Sequence, residues 1–173
     1  MLDLDKYVNQ IINADCLELM QEIPDKSIDC IICDLPYGTT ACSWDSIIPF
    51  DKLWKQYERI IKDNSAIILF ANEPFTSLLV CSKIDWFKYR IDWDKKIPSG
   101  LGYAKYRPMS QIEDICVFCR DKEKTIYNPQ MTQRITPIKS GEIQGKQEFI
   151  VVLSVWVLEK NIKRLMMKNI LQH

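Results

Sequence analysis

The apolar run Ile28-Asp29-Cys30-Ile31-Ile32-Cys33 has the length and composition of a β-strand, and it ends on Asp34-Leu35-Pro36-Tyr37-Gly38. Pro36 fixes its own φ and pushes Leu35 away from helical geometry, so two acceptors can converge at this strand end. The Asp34 carboxylate can accept a hydrogen bond from an exocyclic amine, and the Leu35 carbonyl can accept the second amine proton. Tyr37 supplies a flat face on which a base taken out of its stack could lie. Two acceptors of this kind draw the amine's lone pair out of conjugation with its ring and aim it at an electrophile. The same string also suits an ordinary strand exit and turn, because Asp, Pro and Gly are residues that turns require.

With 173 residues, 47% hydrophobic and 27% charged, the chain has the makeup of one soluble globular domain. Lysine plus arginine equal aspartate plus glutamate at 23 each, which excludes a global basic field for nonspecific nucleic-acid binding. A DNA contact would need a local patch. Lys95, Lys96, Lys105 and Arg107, interleaved with Trp93, Tyr103 and Tyr106 and broken by Pro98-Ser99-Gly100, form a candidate. A loop of that composition can track phosphates, and it can equally be a solvated surface loop.

No stretch approaches the ~20 apolar residues of a membrane span, and the acidic opening Met1-Leu2-Asp3-Leu4-Asp5 does not suit a signal peptide. A cytoplasmic location and reduced thiols are therefore expected for the seven cysteines. Cys30/Cys33 and Cys116/Cys119 have the spacing of zinc ligands. Their fillers, Ile31-Ile32 and Val117-Phe118, are strand-like, whereas a zinc knuckle needs turn formers there, so buried small hydrophobes and no metal are expected. The single histidine, His173, removes histidine-based nucleophilic schemes. Chemistry must run on carboxylates, backbone groups and a reactive cofactor.

Along the chain, residues 8–13 read as a short strand and 15–22 as a helical turn or two. Residues 50–62 place Leu53, Trp54, Tyr57, Ile60 and Ile61 on one helical face. Residues 65–71 are nearly all apolar, the pattern of a central parallel strand covered on both faces. Residues 73–82 look helical with Pro74 in the first turn, and 87–93 and 112–119 read as strands. The alternation of strand and helix predicts an α/β sheet. Residues 134–147 are polar and turn-rich, 148–156 form a β-like run, and 159–171 form a basic amphipathic helix candidate.

The tetrapeptide Asp34-Leu35-Pro36-Tyr37 resembles motif IV of amino-methyltransferases that act on exocyclic amines in DNA. There the pattern is Asp, Asn or Ser, a small or apolar residue, Pro and an aromatic; Leu35 departs from the commoner Pro. Asn13-Ala14-Asp15-Cys16-Leu17, Trp44-Asp45, Ala66-Ile67-Ile68-Leu69-Phe70, Glu113-Asp114-Ile115-Cys116-Val117-Phe118 and Tyr127-Asn128-Pro129 follow the same family's order. Residues 1–133 thus resemble the catalytic half of phage and restriction-modification DNA adenine N6-methyltransferases of the beta type, in which that half comes first. The resemblance implies an α/β, partial Rossmann-like methyltransferase sheet, S-adenosylmethionine as cofactor and double-stranded DNA as partner, with a homodimer as the candidate assembly.

In this family the target adenine leaves the duplex, because its amine is out of reach while stacked and paired. The resemblance implies that Asp34 and the Leu35 carbonyl hold the amine and that Tyr37 stacks on the base. It also implies that Asp15 and the Cys16 amide hold the cofactor's adenine; Asp15 equally suits an N-cap. Asp at the first motif position favours adenine N6 over cytosine N4. Asp45 is open between positioning the base-binding loop and forming a turn. Residues 134–173 stop resembling the family before its Gly-rich cofactor motif, so a divergent, frameshifted tail and a truncated sheet are expected. A catalytically dead DNA- or partner-binding remnant is the alternative reading.

Overall fold

The computed structural model describes residues 7–130. Ile126 closes one compact unit, and Tyr127 opens a second of which only residues 127–130 are described. The boundary expected at residue 133, the strand at 148–156 and the helix at 159–171 lie outside the described residues.

Four strands form one sheet in the order β1-β2-β4-β3: β1 (Ile28–Asp34), β2 (Ile61–Ala71), β3 (Phe87–Ser99) and β4 (Ser110–Cys119). β1 runs parallel to β2, with Asp34 opposite Phe70, and β4 runs antiparallel to both of its neighbours. The C-terminal ends of β1, β2 and β3 therefore share one end of the sheet with the start of β4. In an open α/β sheet the C-terminal ends of the parallel strands are where ligands bind.

Helices α1 (Cys16–Gln21), α2 (Phe50–Ile60) and α3 (Phe75–Ser82) supply the other half of the core. The apolar stripe of α2 behaves as its periodicity predicts, burying Leu53, Trp54, Tyr57 and Ile60. They pack with Ile31 and Cys33 of β1, Ile67, Leu69 and Ala71 of β2, and Cys116 and Phe118 of β4. Trp54 sits 5.0 Å from Phe118 and meets Tyr57 edge to face at 5.9 Å between centroids. Rings at these spacings add roughly 0.5–1.5 kcal/mol per pair beyond the area they bury.

Several expectations change. Residues 8–13 form no strand: Asn9 has φ +59°, the Gln10 amide bonds the Tyr7 carbonyl, and Ile11 is 80% exposed. An apolar run without a neighbouring strand to pair with stays a turn and extended coil. β2 begins at Ile61, directly after α2, and is parallel on one side only. Its Ile68 and Phe70 remain half-buried, and β4 is the strand enclosed on both faces, with Asp114 to Cys119 all buried. Pro74 caps α3 rather than entering its first turn. β3 continues through Lys95, Lys96 and Pro98 to Ser99, where a loop was expected; an edge strand tolerates proline.

The two sheet edges differ in chemistry. β1 offers Ile28, Cys30, Ile31, Ile32 and Cys33, whereas β3 interleaves Lys88, Arg90, Asp92, Asp94 and Lys96 with its apolar residues. No helix among the described residues is long and apolar enough to cross a membrane.

Candidate active site

Asp34 is the last residue of β1 and is exposed, while Leu35 and Pro36 behind it are buried. Leu35 is only 5% exposed and belongs to the core, which anchors the exit from the strand. Tyr37 lies half-buried with its ring stacked on Phe75 at the start of α3, centroids 5.2 Å apart and planes 27° apart. One face of Tyr37 is thus backed by a ring that Phe50 braces in turn at 5.8 Å. The Tyr37 hydroxyl donates to Asp34 Oδ1 at 2.8 Å. Burial and that bond to the carboxylate, with the charges of Asp34, Glu113 and Cys33, push the phenol well above its ordinary range, so it stays a neutral donor.

The chain after Tyr37 is held by one buried carboxylate. Asp45, 8% exposed, accepts from the Gly38 amide at 2.7 Å on Oδ1 and from the Thr39 and Thr40 amides at 2.9 and 2.6 Å on Oδ2. Burial alone would raise its pKa. The bonds from the Thr40 side chain and from the Gly38, Thr40 and Thr39 amides outweigh burial, so the group lies below the usual carboxylate range. Gly38 makes this wrap feasible with φ +67°, a conformation L residues avoid, and a Cβ there would meet Ile47 Cγ1 at 2.9 Å. The sequence offered Asp45 as a turn former or a loop positioner; its geometry is that of a staple across the loop.

Asp15 and Cys16 come to the same end of the sheet. Asp15 N-caps α1 through Oδ1, accepting from the Leu17 and Glu18 amides at 2.8 and 3.3 Å. These bonds use Oδ1, so the carboxylate's Oδ2 is the atom suited to a second donor such as an aromatic amine. Cys16 packs against the core, and burial, then the Asp15 charge, raises its thiol pKa. Cys33, beside Asp34, is pushed up to about 11 by burial, moderated by a bond with the Tyr57 hydroxyl; Cys16 and Asp34 add to the rise. Thiols held this high are poor nucleophiles at neutral pH, so the groups equipped for chemistry here are carboxylates and carbonyls.

On the β4 side, Asp114 is buried and satisfied: Thr76 donates to it at 2.6 Å and Arg90 Nε lies 3.4 Å away. Its neighbour Glu113 projects a charge felt by Tyr37 and pairs with Lys95 Nζ at 2.8 Å, both side chains largely covered. The expected basic loop is therefore divided. Lys95 and Lys96 belong to β3 and are spent on ion pairs, Lys95 with Glu113 and Lys96 with Asp94 at 2.8 Å. Lys105 and Arg107 lie farther out, in the exposed turn before β4, with the Arg107 guanidinium 5.2 Å from the Tyr103 ring centre. Trp93, 44% exposed, meets Phe70 edge to face at 5.7 Å and stays with the sheet.

Phe75 and the Glu113–Lys95 pair had no local signal, since each becomes part of the site only through sheet pairing or helix packing. Asp45 had one: an acid seven residues beyond a glycine in a segment rich in Thr and Ser. Among the described residues no group of three or more His, Cys, Asp or Glu is placed to hold a metal ion.

No protein-family model matches the chain. The Type II methyltransferase M1.MboII of Moraxella bovis is 30% identical over 130 residues, covering 68% of this chain and 48% of that protein. The chain therefore spans about half the length of this relative. Among solved structures, M1.HpyAVI in complex with SAM matches at TM-score 0.53 and 20% identity, over 72% of this chain and 63% of that one. The cytosine-N4-specific PvuII DNA methyltransferase matches at TM-score 0.50 and 15% identity, over 65% and 49%. The likeness shows the fold: a mixed α/β sheet of the kind found in S-adenosylmethionine-dependent methyltransferases.

Proposed function

We propose that this chain carries the amine-holding part of a restriction-modification type DNA methyltransferase, taking its methyl group from S-adenosylmethionine and placing it on adenine N6. The observation that carries the reading is the pairing of an exposed carboxylate, Asp34, with a Tyr37 ring whose one face is already backed by Phe75. A planar base can lie on the other face with its amine turned toward the acid. Restriction-modification type methyltransferases among the similar proteins support the class of reaction.

In this reading Asp34 accepts one amine proton and the Leu35 carbonyl accepts the other, leaving the nitrogen lone pair free of the ring. The Asp34 charge also stabilises positive charge as it builds on the amine nitrogen. Pro36 and the buried Leu35 hold these acceptors in place, so the contribution of the chain is positioning. The incoming amine meets a carboxylate on which the Tyr37 hydroxyl already sits, so binding exchanges one hydrogen bond for another. Asp15 and the Cys16 amide would hold the cofactor's adenine end. S-adenosylmethionine, when bound, supplies an electrophilic methyl carbon. Lys105 and Arg107 would contact the phosphates, joined by Lys95 and Lys96 if their ion pairs open.

Asp at the first position of the tetrapeptide supports adenine over cytosine. The test is to incubate the chain with unmethylated genomic DNA and tritiated S-adenosylmethionine, then separate the nucleosides. N6-methyladenine that disappears in Asp34→Ala is the expected result. N4-methylcytosine overturns the base assignment, and no label in either nucleoside overturns activity for this chain.

A further inference from the structure

We propose that Asp114 is a positioning residue for the site at the end of β1: through Thr76 it fixes the start of α3, and so holds Phe75 behind Tyr37. The inference rests on the amine-holding reading of Asp34 and Tyr37 and adds what sets the tilt of the ring.

The first observation is where the acid lies. Asp114 pairs with Ala71 of β2 and Asp92 of β3, and it precedes Ile115, whose rung runs through Phe70 to Asp34. Alternation along β4 puts it on the same face as Cys116 and Phe118, which belong to the core beneath the helices. A carboxylate in such surroundings is costly unless its oxygens are bonded. Here Oδ2 accepts from the Thr76 hydroxyl at 2.6 Å and Oδ1 lies 3.4 Å from Arg90 Nε, and Thr76 is itself buried. An apolar residue would fill this space at less cost, so the acid is there for what it bonds.

The second observation is how α3 is held. Phe75 and Leu79 are buried, but burial is non-directional and leaves a short helix free to turn or slide by small amounts. Its N-cap, Pro74, makes no side-chain bond, and Glu73 reaches only to Ser77 in the same turn. Thr76 ties the start of the helix to β4, and Ser82 ties its end to α2 by accepting from Trp54 Nε1 at 2.8 Å. The tie to β4 is the one beside Phe75. The third observation is what Phe75 touches: its ring stacks on Tyr37, whose hydroxyl bonds Asp34. A tyrosine backed on one face takes its tilt from the ring behind it, so a shift of the first turn of α3 reaches the acceptor of the amine. A reacting geometry tolerates little such error.

The experiment records NMR spectra of the full chain with isotope-labelled tyrosine rings, the Tyr37 signals being identified by their loss in Tyr37→Phe. The Phe75 ring shifts these signals upfield, and Phe75→Leu defines the unshifted end point. Thr76→Val keeps the side chain's shape and removes the donor, and it should move the Tyr37 signals at least about half way to that end point. Thr76→Ser restores the donor and should return them close to the wild-type position. Asp114→Leu should act as Thr76→Val does, whereas Asp114→Asn, which keeps an oxygen for Thr76, should not. Ile60→Val, a core change beside the Ile28–Ile61 end of the sheet, should lower the melting temperature without moving the signals. Unmoved Tyr37 signals in Thr76→Val overturn the proposal, and so does an equal movement in Ile60→Val. In the methylation assay Thr76→Val should lower kcat by about 10-fold or more, with KM for S-adenosylmethionine within about 2-fold of wild type. An unchanged kcat overturns the positioning role even where the ring has moved. Absence of transfer by the wild type overturns activity for this chain, while moved signals in Thr76→Val still support the placing of the ring by Asp114.

Discussion

Two segments leave the same end of the sheet and are held in opposite ways. Residues 35–48 are drawn inward: Leu35 and Pro36 are buried, Tyr37 is stacked on Phe75, and Asp45 collects three amides. Residues 95–109 lean outward, tied by ion pairs near their base and carrying Ile97, Leu101, Tyr103 and Tyr106 in solvent. In the proposed function the inward segment would serve a reacting amine, whose geometry tolerates little error. The outward one suits a large partner that arrives from solution and can do its own ordering. On that proposal rigidity falls where atoms would react, and exposure where a partner would be met.

The sharpest way to break this contrast is Asp45→Ala, which strands three amides that now share one buried carboxylate. A loss of about 3 kcal/mol in urea unfolding is expected, because bonds to a charged acceptor are the costly ones to remove. Asp45→Asn should fall between, and its shortfall should depend on pH. The folded-state pKa of Asp45 is lowered, so its contribution is fully present above the unfolded value of ~3.9 and fades as pH falls through the lower folded value. The gap between wild type and Asp45→Asn should therefore be constant from pH 7 to about pH 5 and shrink only in stronger acid. A gap that closes near neutrality would show that Asp45 is not the staple.

Gly38→Ala comes next, at about 1–2 kcal/mol, since alanine must adopt φ +67° and its Cβ presses on Ile47. Adding Ile47→Ala should recover the steric part and leave the backbone part; full recovery would mean that the left-handed geometry costs nothing here. Tyr37→Phe should change stability by less than about 1 kcal/mol, for one half-exposed hydrogen bond is lost while the Phe75 stack stays. Its larger effect should appear as tighter binding of adenine-containing DNA, because Asp34 then has no hydroxyl to release. Lys96→Ala should be the mildest, leaving the urea midpoint unchanged, because its pair with Asp94 is open to water. A measurable loss there would show that the outward segment is braced more firmly than its ion pairs imply.

The elements that the chain announces are those whose signal is local. The stripe of Leu53, Trp54, Tyr57 and Ile60 dictates α2 by itself, and Pro36 with Gly38 marks the strand exit at Asp34. The strand expected at 8–13 failed for the complementary reason: an apolar run becomes a strand only beside a partner, and Ile11 has none to meet in the described fold. The site was half legible. Asp34, Tyr37, Asp15 and Cys16 could be named from type and order, but the ring behind Tyr37, the three amides on Asp45 and the acids that neutralise Lys95 and Lys96 arise from contacts between distant segments. Charge was the least legible property. Four basic residues in one stretch read as a patch, and the fold leaves only its outer two without an acid opposite among the described residues.

The unequal edges of the sheet give it a direction of growth. The row of charges on β3, with Pro98 near its end, discourages any strand from adding there, whereas β1 carries only Asp29 and Asp34 among Ile28, Cys30, Ile31, Ile32 and Cys33. A further strand therefore meets less charge on the side bearing Asp34 than on the β3 side. Whatever extends the sheet on that side would wall the end at which we propose the amine is held.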